Sequence, residues 1–154
     1  MKKVISLLAL VLAAATAVSP ASANTPAQHS TEDVTGDEIV CGSTIYTATS
    51  GVLAITTHEG ASESGNTNFT VTVVPRSVVL EDADENVYSI HGAEWIGGTF
   101  NAQQGTFQFT DTDFFTIVSP RGGDVGTVRA VFHISPNGKI VDVNFGTCEL
   151  PEEE

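Results

Sequence analysis

Residues 128–145, with the sequence VRAVFHISPNGKIVDVNF, decide the fold class of this chain. Apolar side chains occupy every second position from Val128 to Ile134, and again from Val141 to Phe145. Between the two runs lies Ser135–Gly138, where proline presets φ and the Asn-Gly pair accepts the positive φ of a tight reversal. This pattern is typical of a hairpin whose two strands are each buried on one face.

The length of the loop in this hairpin fixes which side chains share a face. A three-residue loop would place Phe132 opposite Asp142 and would mix core and solvent residues on each face. We therefore expect a four-residue loop, which leaves His133 on the outer face beside Ile140, a poor position for a catalytic base. The expected pairs are Ile134 with Lys139, Phe132 with Val141, and Ala130 with Val143.

The same two-residue period recurs along the chain, for example from Phe69 to Val73, and no long segment has a helical period. We expect an all-β fold with about eight strands in a small antiparallel up-and-down barrel. A β-sandwich is the alternative, and the barrel is favoured because no long crossover connection is evident. The expected strands are 39–48, 51–57, 67–74, 77–81, 86–96, 106–111, 114–118, and 127–134 with 139–147.

The N-terminus has the pattern of a secretory signal peptide at residues 1–23, with Lys2 and Lys3, an apolar run and Ala21-Ser22-Ala23. Residues 24–37 are predicted to be a disordered leader, 38–150 the β domain and 151–154 an acidic tail. The protein is therefore expected to be secreted and extracellular. Cys41 and Cys148 would then meet an oxidising environment and form a disulfide that joins the terminal strands.

Charge limits the partners. Removing Lys2 and Lys3 leaves four Lys and Arg residues against 19 acidic residues, so the net charge becomes 4 − 19 = −15. Such a chain repels phosphate backbones and anionic membranes. We therefore expect no nucleic-acid partner and no membrane insertion, and we expect a monomer.

The segment Ser89–Ile96 contains the only tryptophan and supplies the candidate ligand-binding residues His91, Trp95 and Glu94. On a strand, His91 and Trp95 point to one face and Glu94 to the other. If His91 and Trp95 face inward, they form an aromatic wall with a titratable group. The alternative places Trp95 in the core or at its rim, and His91 at the surface.

Two acidic motifs are further candidate sites. Asp82–Asn86 has acidic residues at alternate positions, but Val87 stands where a calcium loop needs glycine and Ala93 where it needs glutamate. We read it as a hairpin turn and expect calcium to leave the melting temperature unchanged. Asp111 and Asp113 share one strand face about 7 Å apart along the strand, a pair that glycosidases use but that also serves to separate two strands.

Nucleophile-elbow, zinc-protease, phosphate-loop and Cys-x-x-Cys patterns are absent from the sequence. We therefore predict no catalytic residues, no metal site and no cofactor.

The frame that runs from Cys41-Gly42 through Gly105–Phe107 and 131–139 to Gly146–Cys148 resembles small secreted bacterial β-barrel proteins of unknown function. The resemblance implies a fold and an exported location, and it brings no active site. The expected function is that of a secreted non-catalytic domain that binds a small apolar ligand or another protein. The alternatives are an enzyme that uses isolated histidines and carboxylates inside a barrel, such as a cyclase or hydrolase, and an inert structural module.

Overall fold

The computed structural model describes residues 25–62, 65–138 and 140–149, and its regular elements are all strands. The all-β class is confirmed, whereas the predicted signal peptide and acidic tail lie outside the described residues. The strands are β1 (Gln28–Asp33), β2 (Glu38–Cys41), β3 (Thr44–Ala61), β4 (Asn66–Glu81), β5 (Val87–Asn101), β6 (Thr106–Val118), β7 (Asp124–Ile134) and β8 (Ile140–Glu149).

The strands form one antiparallel sheet in which β3 to β8 are neighbours in chain order. Both β1 and β2 pair with β3, β2 along its first part and β1 along its second. Within the described residues no hydrogen-bonded pairing joins β8 to β1 or β2, so the sheet is open and the predicted closed barrel is not formed. No helix of the described chain is long and apolar enough to cross a membrane.

The predicted disulfide between Cys41 of β2 and Cys148 of β8 is present, with the two Cα atoms 4.8 Å apart. These strands belong to opposite edges of the sheet, and they are in contact. The sheet must therefore curl until its edges meet at this end, which we call the disulfide end. Such a bond is consistent with the oxidising environment of an exported protein.

One strand lies where the sequence predicted a disordered leader. Residues 24–37 contain β1, which is antiparallel to β3 from Gln28 opposite Thr57 to Asp33 opposite Val52. All six residues of β1 are exposed, so no alternation of apolar side chains marks the strand. It is held by main-chain hydrogen bonds to β3, which a side-chain pattern does not reveal.

Several predicted strand ends are bends or turns of longer strands. The predicted strand 39–48 is split by a turn at Gly42, and the predicted break before residue 51 is a bulge inside β3. Gly51 has φ +115, and a Cβ there would collide with the backbone of Val78. The pairs 67–74 with 77–81 and 106–111 with 114–118 are continuous as β4 and β6.

The bulges leave one face of the sheet continuously turned inward. Ala48 pairs with Leu80 before the bulges of β3 and β4, and Ile55 pairs with Val73 after them. Both strands shift by one residue, so their mutual register is restored and the same face stays buried. We call this the inner face. Its core lies at the disulfide end and includes Cys41, Tyr46, Leu80, Ile90 and Ile117.

The β7–β8 hairpin has a different register from the expected one. Ile134 pairs with Ile140, so five residues rather than four separate the strands, and Phe132 pairs with Val143 rather than with Val141. A bulge next to His133 shifts the strands by one more residue. The five-residue loop and the bulge together move the pairing by two residues, which preserves the assignment of faces. Lys139 lies outside the described residues.

Candidate functional site: a carboxylate trio on the inner face

The three candidate residues of β5 are divided between the two faces of the sheet. Glu94 is on the inner face and is only 5% exposed, whereas Trp95 is 50% exposed on the outer face. His91 is also exposed on the outer face, where its Nε2 atom is 3.1 Å from the hydroxyl of Ser89. The fold therefore does not bring His91 and Trp95 to Glu94.

Glu94 instead meets two carboxylates of the neighbouring strand. The register of β5 and β6 places Asp113 directly opposite Glu94, and Asp111 opposite Ile96. Because Asp111 and Asp113 are two residues apart on one strand, both side chains face inward. One oxygen of each carboxylate lies within 4.8 Å of the other two. We call Glu94, Asp111 and Asp113 the carboxylate trio.

The strands on either side of the trio offer no opposite charge. On β4, Val73 pairs with Glu94 and Val71 with Ile96. On β7, residues 130 and 132, an alanine and a phenylalanine, pair with Asp113 and Asp111. The trio is therefore flanked by apolar residue types across the sheet.

Burial and mutual repulsion act on the protonation of the trio. Burial and then the charges of Asp113 and Asp111 raise the pKa of Glu94 to about 8. Burial and then the charge of Asp111 raise the pKa of Asp113 to about 6. Burial also raises the pKa of Asp111, against a backbone hydrogen bond from Thr112 that lowers it. Glu94 and Asp113 therefore titrate well above the usual range of carboxylic acids, and Asp111 is shifted in the same direction.

The trio also contains carboxylate oxygens without a donor. The Oδ1 atoms of Asp111 and Asp113 are buried and accept no hydrogen bond from the described residues. Neither a hydrogen bond nor a cation of the described chain acts on the pKa of Glu94. Arg129, the arginine of β7, lies on the outer face with its guanidinium carbon 5.4 Å from the ring centroid of Phe114. Buried polar atoms are nearly always paired in folded proteins, so these oxygens require an explanation.

A group of phenylalanines lies on the inner face next to the trio, towards the end of the sheet opposite the disulfide. The rings of Phe69, Phe107 and Phe109 stack on one another, with centroids 6.0 to 6.5 Å apart. Phe100 pairs with Phe107 at the end of the sheet, and both rings are partly open to solvent. We call these four residues the aromatic mouth.

Gly98 allows the aromatic mouth to form. It pairs with Phe69 on one side and with Phe109 on the other. A Cβ at Gly98 would lie 2.6 Å from ring atoms of Phe69 and 2.6 Å from the main-chain oxygen of Gln108, which is closer than real side chains approach. The missing side chain lets the Phe69 ring lie across β5 and reach the two rings of β6.

The other acidic motif is satisfied within its own turn. Asp82 Oδ1 accepts the backbone N–H groups of Asp84 and Asn86 at 2.9 Å each, and Oδ2 accepts the hydroxyl of Tyr88 at 2.8 Å. The side-chain amide of Asn86 also donates to both oxygens of Asp82. This amide, together with the hydroxyl of Tyr88 and the two N–H groups, holds the pKa of Asp82 down to about 2. Asp82 thus organises the turn between β4 and β5, as its sequence suggested.

The histidines lie apart from the trio within the described residues. His133 Nδ1 is 2.7 Å from the hydroxyl of Thr110, its cross-strand neighbour on the outer face. The outward position of His133 that the loop argument predicted is confirmed by this pairing. His29 and His58 are exposed.

Sequence reasoning considered Glu94, and the pair Asp111 and Asp113, but did not join them. It also missed the aromatic mouth, although Phe107 and Phe109 alternate inward on the same strand as the two aspartates. Both groups could have been found from the loop between β5 and β6. An even number of residues separates Asn101 from Thr106, and this number determines which residues of the two strands share a face.

Comparison of the chain with protein-family models, with curated proteins and with solved structures found no match.

Proposed function

We propose that this protein is an exported, non-catalytic domain that binds a small apolar ligand on its inner face, at the aromatic mouth. The observation that carries the proposal is the stacked group Phe69, Phe107 and Phe109, whose outermost ring remains 39% exposed. Aromatic side chains supply large contact areas and bind apolar or aromatic partners in stacked geometries. Ligand sites are typically apolar surfaces with a few polar groups at defined positions.

The position of the carboxylate trio determines the orientation in which a ligand would bind. The trio lies two residues further along β6 than Phe109, on the same face. A bound molecule would place its apolar body against the phenylalanines and its polar end towards the trio. An anionic end would be repelled by the three carboxylates, so we infer that fatty acids and other apolar anions bind poorly.

We further infer that the sheet closes into a small barrel around the ligand. The disulfide already joins the two edges at one end, and an edge strand with free main-chain groups readily pairs with another. Hydrogen exchange would then show slower exchange of β1 and β8 amides when ligand is bound.

The experiment that tests binding uses the uncharged apolar dye Nile red. Wild-type protein should bind the dye with a saturable rise in fluorescence, and Phe107→Ala should weaken binding about tenfold, in line with the loss of a buried aromatic contact. Phe114→Ala is the matched control, because Phe114 is 42% exposed but lies on the outer face. Equal loss in both variants, or no saturable binding, would refute the proposal.

Native mass spectrometry of protein purified from its own culture medium would identify a natural ligand. A retained neutral or cationic small molecule is the expected result, and a retained fatty acid would contradict the inferred direction of binding.

A second candidate is acid–base catalysis by the carboxylates, favoured by one observation. The pKa of Glu94 is raised to about 8 and that of Asp113 to about 6, and neighbouring carboxyl groups held at different pKa values can serve as acid and base. Chemical conversion of a retained ligand by wild type, and its loss in Glu94→Gln, would favour this candidate over binding. The histidines expected to assist such an enzyme lie away from the trio.

A further inference from the structure

The carboxylate trio, once ionised, has no positive partner among the described residues. Three carboxylates with one oxygen each within 4.8 Å of the others repel one another strongly in a buried setting. The cations of the described residues lie elsewhere: Arg129 is stacked on Phe114, and Arg76 and Arg121 are exposed.

A second observation, separate from the clustering, concerns the acceptor atoms. Glu94 is 95% buried, as its 5% exposure shows, and its carboxylate faces the two aspartates. The Oδ1 atoms of Asp111 and Asp113 are buried without a hydrogen-bond donor among the described residues. One acceptor oxygen of each residue therefore lies in this cluster, and the two buried Oδ1 atoms receive no hydrogen bond from a donor of the described residues.

We propose that Glu94, Asp111 and Asp113 bind one divalent cation of the size of calcium on the inner face of the sheet. All three ligands are carboxylate oxygens, which hard cations prefer, and neither a nitrogen nor a sulfur atom of the described residues joins the group. When all three carboxylates are ionised, a divalent ion reduces the charge of the site from −3 to −1.

The donor set selects among the hard cations. The three oxygens lie within 4.8 Å of one another, which brings them within reach of one ion. Calcium accepts several carboxylates in a flexible geometry at about 2.3–2.6 Å, whereas magnesium keeps several waters and is usually bound by one or two carboxylates. Three carboxylates on two paired strands therefore favour calcium over magnesium.

The carboxylate trio is a different site from the acidic turn Asp82–Asn86, which the sequence analysis compared with calcium loops. The expectation that calcium leaves the melting temperature unchanged rested on Asp82–Asn86, and that turn does keep the Asp82 carboxylate for its own N–H groups. The trio comes from two paired strands, so no calcium-loop pattern could reveal it. Binding of the ion does not depend on binding of an apolar ligand, so this proposal is independent of the function proposed above.

The test uses the full exported protein, stripped with EDTA and titrated with calcium chloride by calorimetry at mildly alkaline pH. One calcium per chain should bind, and the melting temperature should rise with calcium concentration. Asp113→Asn should weaken calcium affinity about tenfold or more, since affinity follows the number of charged ligands. The variant should fold, because it removes a repulsive charge and keeps the shape of the side chain.

Asp84→Asn is the matched control, since Asp84 is an exposed acid of the turn between β4 and β5. It should retain the affinity of wild type, which separates specific binding from general attraction to an acidic protein. Absence of saturable calcium binding, equal weakening in Asp84→Asn, unchanged affinity in Asp113→Asn, or tighter binding of magnesium than calcium would each overturn the proposal. Nile red binding measured on the same samples tests the aromatic mouth separately, so either proposal can fail alone.

Discussion

The substitution Glu94→Gln should change how the stability of the protein depends on pH. Glutamine keeps the length and shape of the side chain but cannot ionise. Wild-type Glu94 is buried beside Asp111 and Asp113 on β6, while its neighbour on β4 is Val73. Ionising Glu94 in the folded protein is therefore unfavourable, and the variant removes that penalty.

The sign and size follow from the pKa. Folding raises the pKa of Glu94 from 4.5 to about 8, so the folded state holds this proton more tightly than the unfolded state. The resulting stability is fully present below pH 4.5 and is lost as pH rises to about 8. At about 1.4 kcal/mol per pKa unit, the loss has an upper bound of about 5 kcal/mol. Solvent screening and relaxation around the charged group reduce this figure, so we expect about 2–4 kcal/mol.

Urea unfolding of both proteins in EDTA, at a series of pH values between 4.5 and 8, measures this effect. Wild type should lose stability as pH rises, and Glu94→Gln should lose about 2–4 kcal/mol less over the same range. The remaining slope comes from Asp111 and Asp113, whose pKa values are also raised. Parallel pH profiles for the two proteins, or a wild type that gains stability towards alkaline pH, would refute the reasoning. Saturating calcium should flatten the wild-type profile if the trio binds the ion.

Three further predictions concern packing. Gly126→Ala should lower the free energy of unfolding by about 1–3 kcal/mol, because an added Cβ would collide with the Sγ atoms of Cys41 and Cys148; an unchanged urea midpoint in the oxidised protein would contradict this packing. Reduction of the disulfide, which closes a sequence separation of 107 residues, should cost at most about 4–5 kcal/mol, measured by urea unfolding with and without reductant. Gly98→Ala should displace the Phe69 ring and the main chain at Gln108 and so weaken Nile red binding. Circular dichroism checks that the variant keeps its β structure, and full affinity in the folded variant would show that Phe69 does not form part of the site.

The fold class could be predicted because apolar alternation reports directly on strands that are buried on one face. The strand ends were harder to predict, because a residue such as Gly51 looks the same in sequence whether it ends a strand or bends one. β1 was missed for a different reason. Its side chains are all exposed, and main-chain pairing with β3 leaves no periodic signal.

The hairpin at residues 135–139 shows how far turn chemistry reaches. Side chains alternate between the two faces of a strand, so the inward residues of β7 must pair with inward residues of β8. Phe132 does pair with an apolar residue, Val143. This alternation cannot distinguish pairings that differ by two residues. The length of the loop and a bulge beside His133 determine which of these pairings forms. The face of each residue was therefore predictable, while its partner was not.

The carboxylate trio depends on a pairing of the same kind, between β5 and β6. Four residues separate Asn101 from Thr106, so residue numbers in each pair across this hairpin sum to a constant odd value, and even positions of β5 face odd positions of β6. Glu94 must then share a face with Asp111 and Asp113 for any regular loop of even length. A loop of odd length would have placed Trp95 beside the aspartates and Glu94 in solvent. The polar turn at Asn101–Gly105 was recognisable in the sequence. Its length determines whether Glu94 lies on the same face as Asp111 and Asp113. Inserting one glycine into this turn should therefore change the register of β5 against β6. If β6 keeps the same side chains on the inner face, Glu94 should leave the trio and calcium binding should be abolished. Retained calcium affinity in that variant would show that the register of β5 and β6 does not define the site.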